Sequence, residues 1–503
     1  MSIPYCVCLF IGALVAADSA HFWCHKTKEG FCEIPKNDFI SQQAMRELVH
    51  DLEKFTPSSS AAPVNASTIR NKVLAGYQGW DGARNMWDHW SKDGKVPSPL
   101  SKNEHFEMVP QMGEYPAGAL HSTDFKYIGN GSAVKLFENS AGGVVDLHVQ
   151  WMKDYGLDGV LIQRFISECT KSGKALTQRN MILQQLDAAA TKHGRVYAMM
   201  WDMSGASKQW DEDIKKDFQT YVKKYTTSQQ YLKENGRPVV CIFGIGLIGH
   251  DQATPASSLA LIRWLQDQGL YVIGSGPYYW RTGGHDALHG FDKVHAAFDA
   301  IMPWSVGRYN SVTDFHNRLT LIEGDAALTS GRKQDYAPIA YAGYSYRDSN
   351  KVNFIKRNAG KFFKAQSDAF LAIKGATFYY IAMFDEVQEG TAIYKFAANA
   401  SQSAAGRPFV TASIDGVQCP GDLYLRLAGQ YAAAAKGHGP APPPLPTENS
   451  LDRGSILDAG DSLHSINGKA HLEMQAADGN LVLYSGNHGI WSSNTTGESS
   501  HIA

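Results

Sequence analysis

Residues 377–386 read TFYYIAMFDE, an apolar and aromatic run that ends in two carboxylates. The run does not alternate between apolar and polar residues, and continuous runs of this kind are typical of strands buried on both faces of a parallel sheet. A third carboxylate, Glu389, follows closely, and Gly390 after it permits a turn. The segment therefore predicts a buried strand that brings acidic side chains to one end of a sheet.

Seven similar runs precede this one, and glycine, proline or polar residues bound each of them. They are VLAGY (73–77), DGVLIQRF (158–165), RVYAMMWD (195–202), PVVCIFG (238–244), LYVIGS (270–275), DAIMPW (299–304) and APIAYAG (337–343). Helical periodicity fills most of the intervals, over 144–156, 180–194, 213–236, 256–269, 316–331 and 352–375. Eight strands that alternate with helices predict an α/β fold of the (β/α)8 TIM-barrel type over residues 69–435, closed by a helix at 422–435. A doubly wound open sheet is the alternative, and it would lack the closing eighth pair.

A barrel of this type places its chemistry at the C-terminal ends of its strands, and acidic and aromatic residues occur at those ends. Cleavage of a glycosidic bond needs one carboxylic acid and a second carboxylate, and two carboxylates held close together raise one pKa. Glu386 and Glu389 are therefore the predicted catalytic pair, with a solvated turn as the alternative interpretation. The predicted substrate-binding residues are Tyr77, Trp80, Arg164, Asp202, Tyr279, Trp280, Trp304, Arg308, Tyr344 and Asp385.

Other chemistries find less support in the sequence. There is no GxSxG nucleophile motif and no P-loop, and the GIGLIG segment at 244–249 follows the fourth predicted strand instead of the first. No Cys/His spacing resembles a zinc site, so neither a metal ion nor a cofactor is predicted. A net charge of -2 over 503 residues gives no basic excess for binding nucleic acid or an anionic membrane.

The N-terminal residues 1–20 read as a secretory signal peptide, because their apolar stretch is too short to span a bilayer. A signal anchor is the alternative. Residues 21–68 form an extension and linker, in which Cys24 and Cys32 are close enough in sequence to pair in an oxidising compartment. A secreted glycoprotein is also consistent with four Asn-x-Ser/Thr sequons, at Asn65, Asn130, Asn399 and Asn494.

Four segments resemble the barrel proteins related to glycoside hydrolase families 71 and 99, the second of which holds the endo-α-mannosidases. They are GYQGW (76–80), YGLDGVLIQRF (155–165), IMPWSVGRY (301–309) and MFDEVQEGTAI (383–393). The resemblance covers residues 71–430 of this chain. It is clearer with bacterial relatives that are labelled as hydrolases or xylosidase/arabinosidase-like proteins than with the characterised enzymes.

This resemblance implies roles for individual residues. Glu386 would be the base that assists the 2-hydroxyl of the substrate, giving a 1,2-anhydro sugar, and Glu389 would be the general acid/base. Tyr77 matches the tyrosine of the family's first strand, whereas Asp202 stands where the mannosidases carry a longer acid and Val387 replaces their tryptophan. Family 99 retains the anomeric configuration and family 71 is thought to invert it, so the stereochemical outcome and the mannosidase substrate both stay open.

A separate module follows a proline-rich linker, KGHGPAPPPLPTEN at 436–449, and spans residues 450–503. Its stretch 463–497 resembles a bulb-type mannose-binding lectin repeat, which implies a small all-β module of the β-prism II type. The module is about half of a three-repeat prism, and contact with the barrel or self-association with another copy of the chain would cover its open edges. Ala476 stands at the glutamine position of the lectin pocket, and the predicted sugar-binding residues are Asp478, Asn480 and Tyr484.

These features predict a secreted glycoside hydrolase whose partner is a carbohydrate. Its substrate would be an α-linked polysaccharide or glycan, with mannose-containing chains among the candidates. A catalytically silent carbohydrate-binding protein on the same scaffold is the alternative, and a structural glycoprotein is a third hypothesis. The Glu386 and Glu389 pair separates the first two, because a binding protein has no need of two acids at one strand end.

Overall fold

The computed structural model describes residues 25–26, 32–33, 42–83, 87–170, 173–250, 252–349, 351–438, 462–464, 470–475, 480–485 and 488–493. The chain forms two compact units, one of residues 48–443 and one of residues 1–47 with 444–503. The predicted signal peptide, Cys24, most of the proline-rich linker, Asp478 and Asn494 lie outside the described residues. No helix in the described part of the chain is long and apolar enough to cross a membrane.

The larger unit is built around parallel strands that follow the predicted runs. In chain order they are β1 Val73–Tyr77, β2 Gly159–Phe165, β3 Val196–Asp202, β4 Arg237–Phe243, β5 Tyr271–Ser275, β6 Ala300–Ile301, β7 with segments Asp335–Tyr336 and Ile339–Tyr341, and β8 Tyr379–Ala382. Neighbours in the sheet are parallel, and the sheet order follows the chain order from β1 to β6. The β6 strand is much shorter than its predicted run.

The sheet closes on itself through β7. This strand pairs with β6 along its first segment and with β8 along its second, and β8 pairs with β1. Pro338 separates the two segments. It has no N–H to donate, but its carbonyl accepts from Tyr380 N at 3.1 Å, so the seam continues past it. The closed (β/α)8 arrangement is therefore present, and the open-sheet alternative is wrong.

Helices alternate with these strands along the chain. They are α1 Gln42–Glu53, α2 Val144–Tyr155, α3 Ile166–Cys169, α4 Lys174–His193, α5 Trp210–Asp217, α6 Pro255–Asp267, α7 Asp292–His295, α8 Val312–His316, α9 Leu319–Gly331, α10 Lys361–Ala372 and α11 Leu423–Ala435. Left-handed glycines end α2 and α4 just before the next strand, at Gly156 (φ 84°) and Gly194 (φ 63°). The closing helix predicted at 422–435 is α11.

Two predicted helices are only partly helical, which corrects the sequence analysis. Residues 351–355 form a strand that pairs antiparallel with 344–346, and α10 begins only after Asn358 and Ala359 take positive φ angles of 47° and 49°. The stretch 213–236 leaves the α-helix at Asp217 and ends in the short strand Lys233–Glu234. Between β1 and α2 the chain also forms an antiparallel hairpin of Leu120–Lys126 and Ala133–Phe137.

Acidic side chains seal the N-terminal end of the barrel by accepting backbone N–H groups. Asp158, just before β2, accepts from Val73 N at 2.9 Å and forms an ion pair with Lys436 at 2.6 Å. Asp299, just before β6, accepts from Val272 N at 2.9 Å. Each bond satisfies a buried donor and ties neighbouring strands together. This end of the barrel therefore serves stability, and the opposite end carries the long loops.

The smaller unit contains an antiparallel sheet of four short strands within its described residues. They are Ser462–His464, Ala470–Met474, Leu481–Ser485 and His488–Ser492, paired in chain order. Leu481, Val482 and Leu483 are buried in it. A small all-β module is therefore present at the C-terminus, as predicted.

Candidate active site

The chain turns sharply just after β8, and this turn carries both predicted catalytic residues. Val387 N donates to Asp385 O at 3.1 Å, and Gly390 takes a positive φ of 63°. Glu386 and Glu389 lie on either side of this reversal. The turn therefore keeps both side chains at the C-terminal end of the barrel, close enough for the charge of Glu389 to act on Glu386.

Glu386 is buried and Glu389 is half-buried at this end of the barrel. Glu386 is 8% exposed, and its pKa lies well above the usual value because burial and the charge of Glu389 disfavour ionisation. A hydrogen bond from Gln78 opposes this rise in the pKa of Glu386. Burial raises the pKa of Glu389 to about 7. Two such groups resist ionising together near neutral pH, so the pair retains a proton there.

Alternation along the strands decides which residues face the barrel interior. A Cβ on Gly76 would lie 2.1 Å from the Tyr380 hydroxyl, and that hydroxyl contacts Met200 Sδ at 3.8 Å. These three positions therefore point inward. Gln78 and Asp202 are two residues further along from Gly76 and Met200, so they share the inner face.

Four polar side chains form a row on this inner face, which we call the inner row: Glu386 after β8, Gln78 after β1, Gln163 in β2 and Asp202 at the end of β3. Gln163 Nε2 donates to Asp202 Oδ2 at 3.3 Å, as Gln78 donates to Glu386. Burial raises the pKa of Asp202 to about 6, although a bond from Ser204 N at 2.7 Å opposes the rise. Amide and carboxyl groups on the neighbouring strands thus lie next to the predicted catalytic pair, and one of them is Asp202, a predicted substrate-binding residue.

Two predicted substrate-binding residues lie on the outer face of the barrel wall instead. Tyr77 OH shares a hydrogen bond of 2.9 Å with His148 Nδ1 of α2. Arg164 Nε donates to Asp217 Oδ2 of α5 at 2.9 Å. Each follows an inner-facing position of its strand by one residue, so its side chain points to the outer face. The structure therefore does not bring either of them to Glu386 and Glu389.

Trp280 and Asp385, also assigned to the substrate from the sequence, each find partners within the protein. Trp280 Nε1 donates to Asp325 Oδ2 of α9 at 3.1 Å, which directs the ring toward the helical layer. Asp385 is fully buried and accepts from Gln78 N at 2.9 Å and Gly79 N at 2.8 Å. Burial raises the pKa of Asp385 to about 6. This residue fastens the end of β1 to the catalytic turn.

Tyr344, one of the predicted substrate-binding residues, lies near Glu386 and Glu389. Burial and the nearby charges of Glu389 and Glu386 raise the pKa of its hydroxyl. The hairpin that follows β7 is also fastened to the turn, because Ser345 N donates to Glu389 O at 2.8 Å. The hairpin therefore supports the turn and supplies an aromatic hydroxyl to the same region.

Trp80 forms an aromatic wall near the inner row. Its ring stacks on His89, with centroids 3.9 Å apart, and on Phe165, with centroids 5.3 Å apart. Phe165 follows Gln163 by two residues in β2 and so lies on the same face of the strand. The structure therefore places Trp80 next to Gln163 and Asp202.

The remaining predicted residues follow β5 and β6, on another part of the barrel mouth. Tyr279 OH accepts from Arg318 Nη1 at 2.9 Å, and Arg308 Nε donates to Asp286 Oδ2 at 2.7 Å. The half-buried Trp304 packs edge to face on the phenylalanine that ends β4. These side chains lie beyond β4 in the sheet, and the inner row lies on β8 to β3.

Gln78 and Gln163 belong to the site but were missed in the sequence, where charged and aromatic residues drew attention. Gly76 is the sequence signal that could have identified them. A glycine inside a strand often marks the face where another group packs closely against the backbone, and Gln78, two residues later, lies on the same face. No group of three or more His, Cys, Asp or Glu side chains in the described ranges is arranged to hold a metal ion.

In the smaller unit, the residues of the lectin-like motif contact one another. Tyr484 OH accepts from Gln475 Nε2 at 2.7 Å, and the His471 ring stacks on Tyr484 with centroids 4.6 Å apart. Asn480 Nδ2 donates to Ser492 Oγ at 2.7 Å. Gln475 therefore reaches the tyrosine of the motif although it stands one residue away from the expected glutamine position.

Comparisons with known proteins define the fold of the chain. No protein-family model and no curated protein matches the sequence. The chain is similar to the solved GH99 endo-α-mannosidase from Bacteroides thetaiotaomicron, with a TM-score of 0.53 and 14% identity over 74% of this chain and 99% of that chain. A structure of that organism's GH99 endo-α-mannosidase in complex with bis-tris propane gives a TM-score of 0.53 and 13% identity over 74% and 98%. The chain therefore shares the fold of a glycoside hydrolase.

Proposed function

We propose that the protein is a glycoside hydrolase and that Glu386 and Glu389 are its catalytic carboxyl groups. The observation that carries the proposal is the pair itself, a buried Glu386 and a half-buried Glu389 on one turn at the C-terminal end of a barrel strand, both with raised pKa values. Buried carboxyl groups in this position destabilise the fold, and catalysis is the common reason for retaining them. The fold shared with a glycoside hydrolase supports the same conclusion.

The two groups supply what hydrolysis requires. In the mechanism that the resemblance to family 99 implies, Glu389 carries the proton of the pair and Glu386 is ionised, and the hydrogen bond from Gln78 opposes the rise in the pKa of Glu386. Glu389 gives this proton to the glycosidic oxygen as the bond to C1 breaks, while Glu386 takes the 2-hydroxyl proton and the freed oxygen closes on C1. Water then opens the 1,2-anhydro ring, giving its proton to Glu389, and Glu386 returns its proton to the 2-oxygen. One water is consumed per bond, and both groups are restored.

The substrate in this proposal is an α-linked, mannose-containing polysaccharide or glycan, cleaved with retention of configuration. The support is the resemblance of residues 383–393 to family 99 and the likeness of the fold to an endo-α-mannosidase. Tyr344 lies beside the pair, and a neighbouring aromatic ring suits contact with the C–H face of a sugar. Asp202 provides a further carboxyl group for substrate hydroxyls.

The test is digestion of an α-glycan library by wild type, Glu386→Gln and Glu389→Gln, with products read by mass spectrometry. Each substitution keeps the side-chain size and removes the transferable proton, so we expect a loss of about 10²-fold to 10⁴-fold in turnover. Glycan binding should persist in both variants. Glu323→Gln, an exposed position on α9, is the matched control and should retain wild-type activity.

Two outcomes would contradict the mechanism. Full activity of both Glu386→Gln and Glu389→Gln on a substrate that the wild type cleaves would show that the pair is not catalytic. Binding of glycans without cleavage of any of them by the wild type would favour the alternative, a catalytically silent carbohydrate-binding protein.

We also propose that the protein is secreted and glycosylated. Asn65 and Asn130 are exposed, and in each sequon the serine hydroxyl donates to the asparagine Oδ1 at 2.8 Å. Asn399 makes the same contact with Ser401 at 2.7 Å. These positions are accessible to a glycosyltransferase. N-terminal sequencing of protein from the culture medium, with glycopeptide mapping, tests the proposal, and a chain that stays in the cell would contradict it.

A further inference from the structure

Two buried amide oxygens in the inner row lack a partner. Gln78 is 4% exposed and Gln163 is 3% exposed, and neither Oε1 atom has a hydrogen-bond partner within the described residues. A buried acceptor without a donor destabilises a folded chain, and native proteins contain few of them. These two lie at the C-terminal end of the barrel beside Glu386 and Asp202, where a donor from outside the protein can reach them.

A carboxyl group fixes the orientation of each amide. Gln163 Nε2 donates to Asp202 Oδ2 at 3.3 Å, and Gln78 donates to Glu386. In both contacts the amide nitrogen is the donor, so each Nε2 faces its carboxyl group and each Oε1 faces the other way. The two oxygens are thus presented as acceptors by contacts that the protein makes on its own.

The two amides are neighbours across the sheet. Tyr77 lies opposite Ile162 in the pairing of β1 with β2, so the next residues, Gln78 and Gln163, lie side by side at the ~4.8 Å spacing of adjacent strands. In the inner row they stand at the centre, with Glu386 on one side. A ligand that reaches both oxygens therefore also lies against the predicted catalytic pair.

The aromatic wall completes the site. Trp80 is 9% exposed and stacks on Phe165, and its Nε1 also has no hydrogen-bond partner in the described part of the chain. Two acceptors and one donor match the polar groups of a single pyranose ring. Its hydroxyl protons suit the amide oxygens, and its ring oxygen suits the indole N–H.

We propose that Gln78 and Gln163 determine specificity, each accepting a hydrogen bond from a hydroxyl group of one neutral sugar ring next to the bond to be cleaved. The inference rests on the proposed hydrolase function for its substrate. It adds a selection by charge, because two amide oxygens between the carboxyl groups of Glu386 and Asp202 repel an anion. A uronic acid, sulfated or phosphorylated ring is therefore rejected at this position.

The test measures binding of methyl α-glycosides to the full-length Glu389→Gln protein, which serves as the reference because it prevents turnover. The probes are methyl α-mannoside, α-glucoside and α-galactoside, with dissociation constants from ligand-observed NMR titration. Gln163→Met and Gln78→Met keep the side-chain length and remove both polar atoms, so each should raise the Kd of the tightest glycoside by at least about tenfold. Circular dichroism and Tm check that each variant folds. If Gln163→Met does not fold, Gln163→Asn replaces it, because the shorter side chain withdraws the amide from the ligand.

A matched control and a deoxy series separate recognition from general destabilisation. Gln185→Met on α4 makes the same substitution at a glutamine whose Nε2 contacts Ser140 O at 2.9 Å and whose Oε1 likewise lacks a described partner, and it should leave Kd unchanged. In the reference protein, removal of one ring hydroxyl from the glycoside should raise Kd about tenfold, and in Gln163→Met that same removal should have no further effect. Methyl α-glucuronide should bind at least about tenfold more weakly than the neutral parent.

The proposal is overturned if the Met variants bind within about twofold of the reference, if every deoxy penalty persists in them, or if the reference binds no methyl glycoside. Cleavage of oligosaccharides is measured separately, in proteins that keep Glu389. Cleavage by wild type and by Gln163→Met with an unchanged KM would contradict the amide site and leave the hydrolase proposal standing. Glycoside binding as expected, without cleavage of any substrate, would contradict the hydrolase proposal alone.

Discussion

Tyr77 and Gln78 are neighbours in the chain, but they face opposite sides of the barrel wall. The same is true of Gln163 and Arg164. The sequence analysis assigned Tyr77 and Arg164 to substrate binding because of the chemistry of their side chains. A strand that is apolar on both faces has no alternating pattern to show which face is inner, so the sequence could place the strand ends but not the direction of each side chain.

The raised pKa of Glu389 makes stability depend on pH. Its pKa is about 7 in the folded protein against a usual value of 4.5, so between these values the folded state binds more protons than the unfolded state. The free energy of unfolding therefore falls as pH rises from 4.5 through about 7. Glu389→Gln removes this loss, so its stability advantage over wild type should grow with pH to on the order of 2 kcal/mol at pH 8.

Urea denaturation at several pH values between 5 and 8 would measure this effect. Glu323→Gln on α9 is the control, because its exposed side chain should give a difference from wild type that does not change with pH. A constant difference between Glu389→Gln and wild type over the whole range would contradict the raised pKa of Glu389.

The catalytic turn is an element whose shape depends on one glycine. Gly390 has a φ of 63°, and a Cβ there would lie 2.9 Å from Ser345 Cβ and 3.1 Å from Ser345 N. Ser345 N is also the donor to Glu389 O. The turn and the hairpin after β7 therefore fit together only when position 390 lacks a side chain.

Gly390→Ala should move the turn away from the hairpin. Its cost combines the left-handed backbone, about 1–2 kcal/mol, with the contact against Ser345. We expect a larger loss of unfolding free energy than in Gly236→Ala, where φ is 75° but no atom lies within 4 Å. Turnover should fall at least about tenfold in Gly390→Ala, because a small misplacement of Glu389 is costly in catalysis. Equal stability losses in the two variants, measured in urea, would contradict the tight fit.

The predicted elements differ in how well the sequence specifies them. The buried strands were found because apolar runs are a strong local signal, and the helices with a terminal glycine were found for the same reason. The predicted helix at 352–375 was wrong in its first half because Val352 and Phe354 alternate with polar neighbours, and such a segment becomes a strand when a partner lies alongside. That partner, residues 344–346, is set by the course of the chain after β7, which local sequence does not show.

The division into two compact units limits what each part contributes to function. The inner row and its supporting turn are made by residues of the larger unit alone. The smaller unit contributes a short antiparallel sheet whose Tyr484 accepts a hydrogen bond from Gln475. The proposed catalysis and the predicted lectin-like binding therefore belong to different units, and they should be separable by truncation.

Deletion of residues 450–503 should leave cleavage intact and weaken retention on mannan beads. The larger unit keeps its closed sheet and its catalytic pair, so the truncated chain should hydrolyse soluble glycans at the wild-type rate. Retention should fall because Tyr484 and Asn480 are lost with the module. Tyr484→Phe in the full-length chain is the sharper variant, since it keeps the stacking on His471 but removes the hydroxyl that Gln475 contacts. Reduced retention in both proteins would assign mannan binding to this face of the sheet, whereas unchanged retention after deletion would show that the module is a remnant without a sugar site.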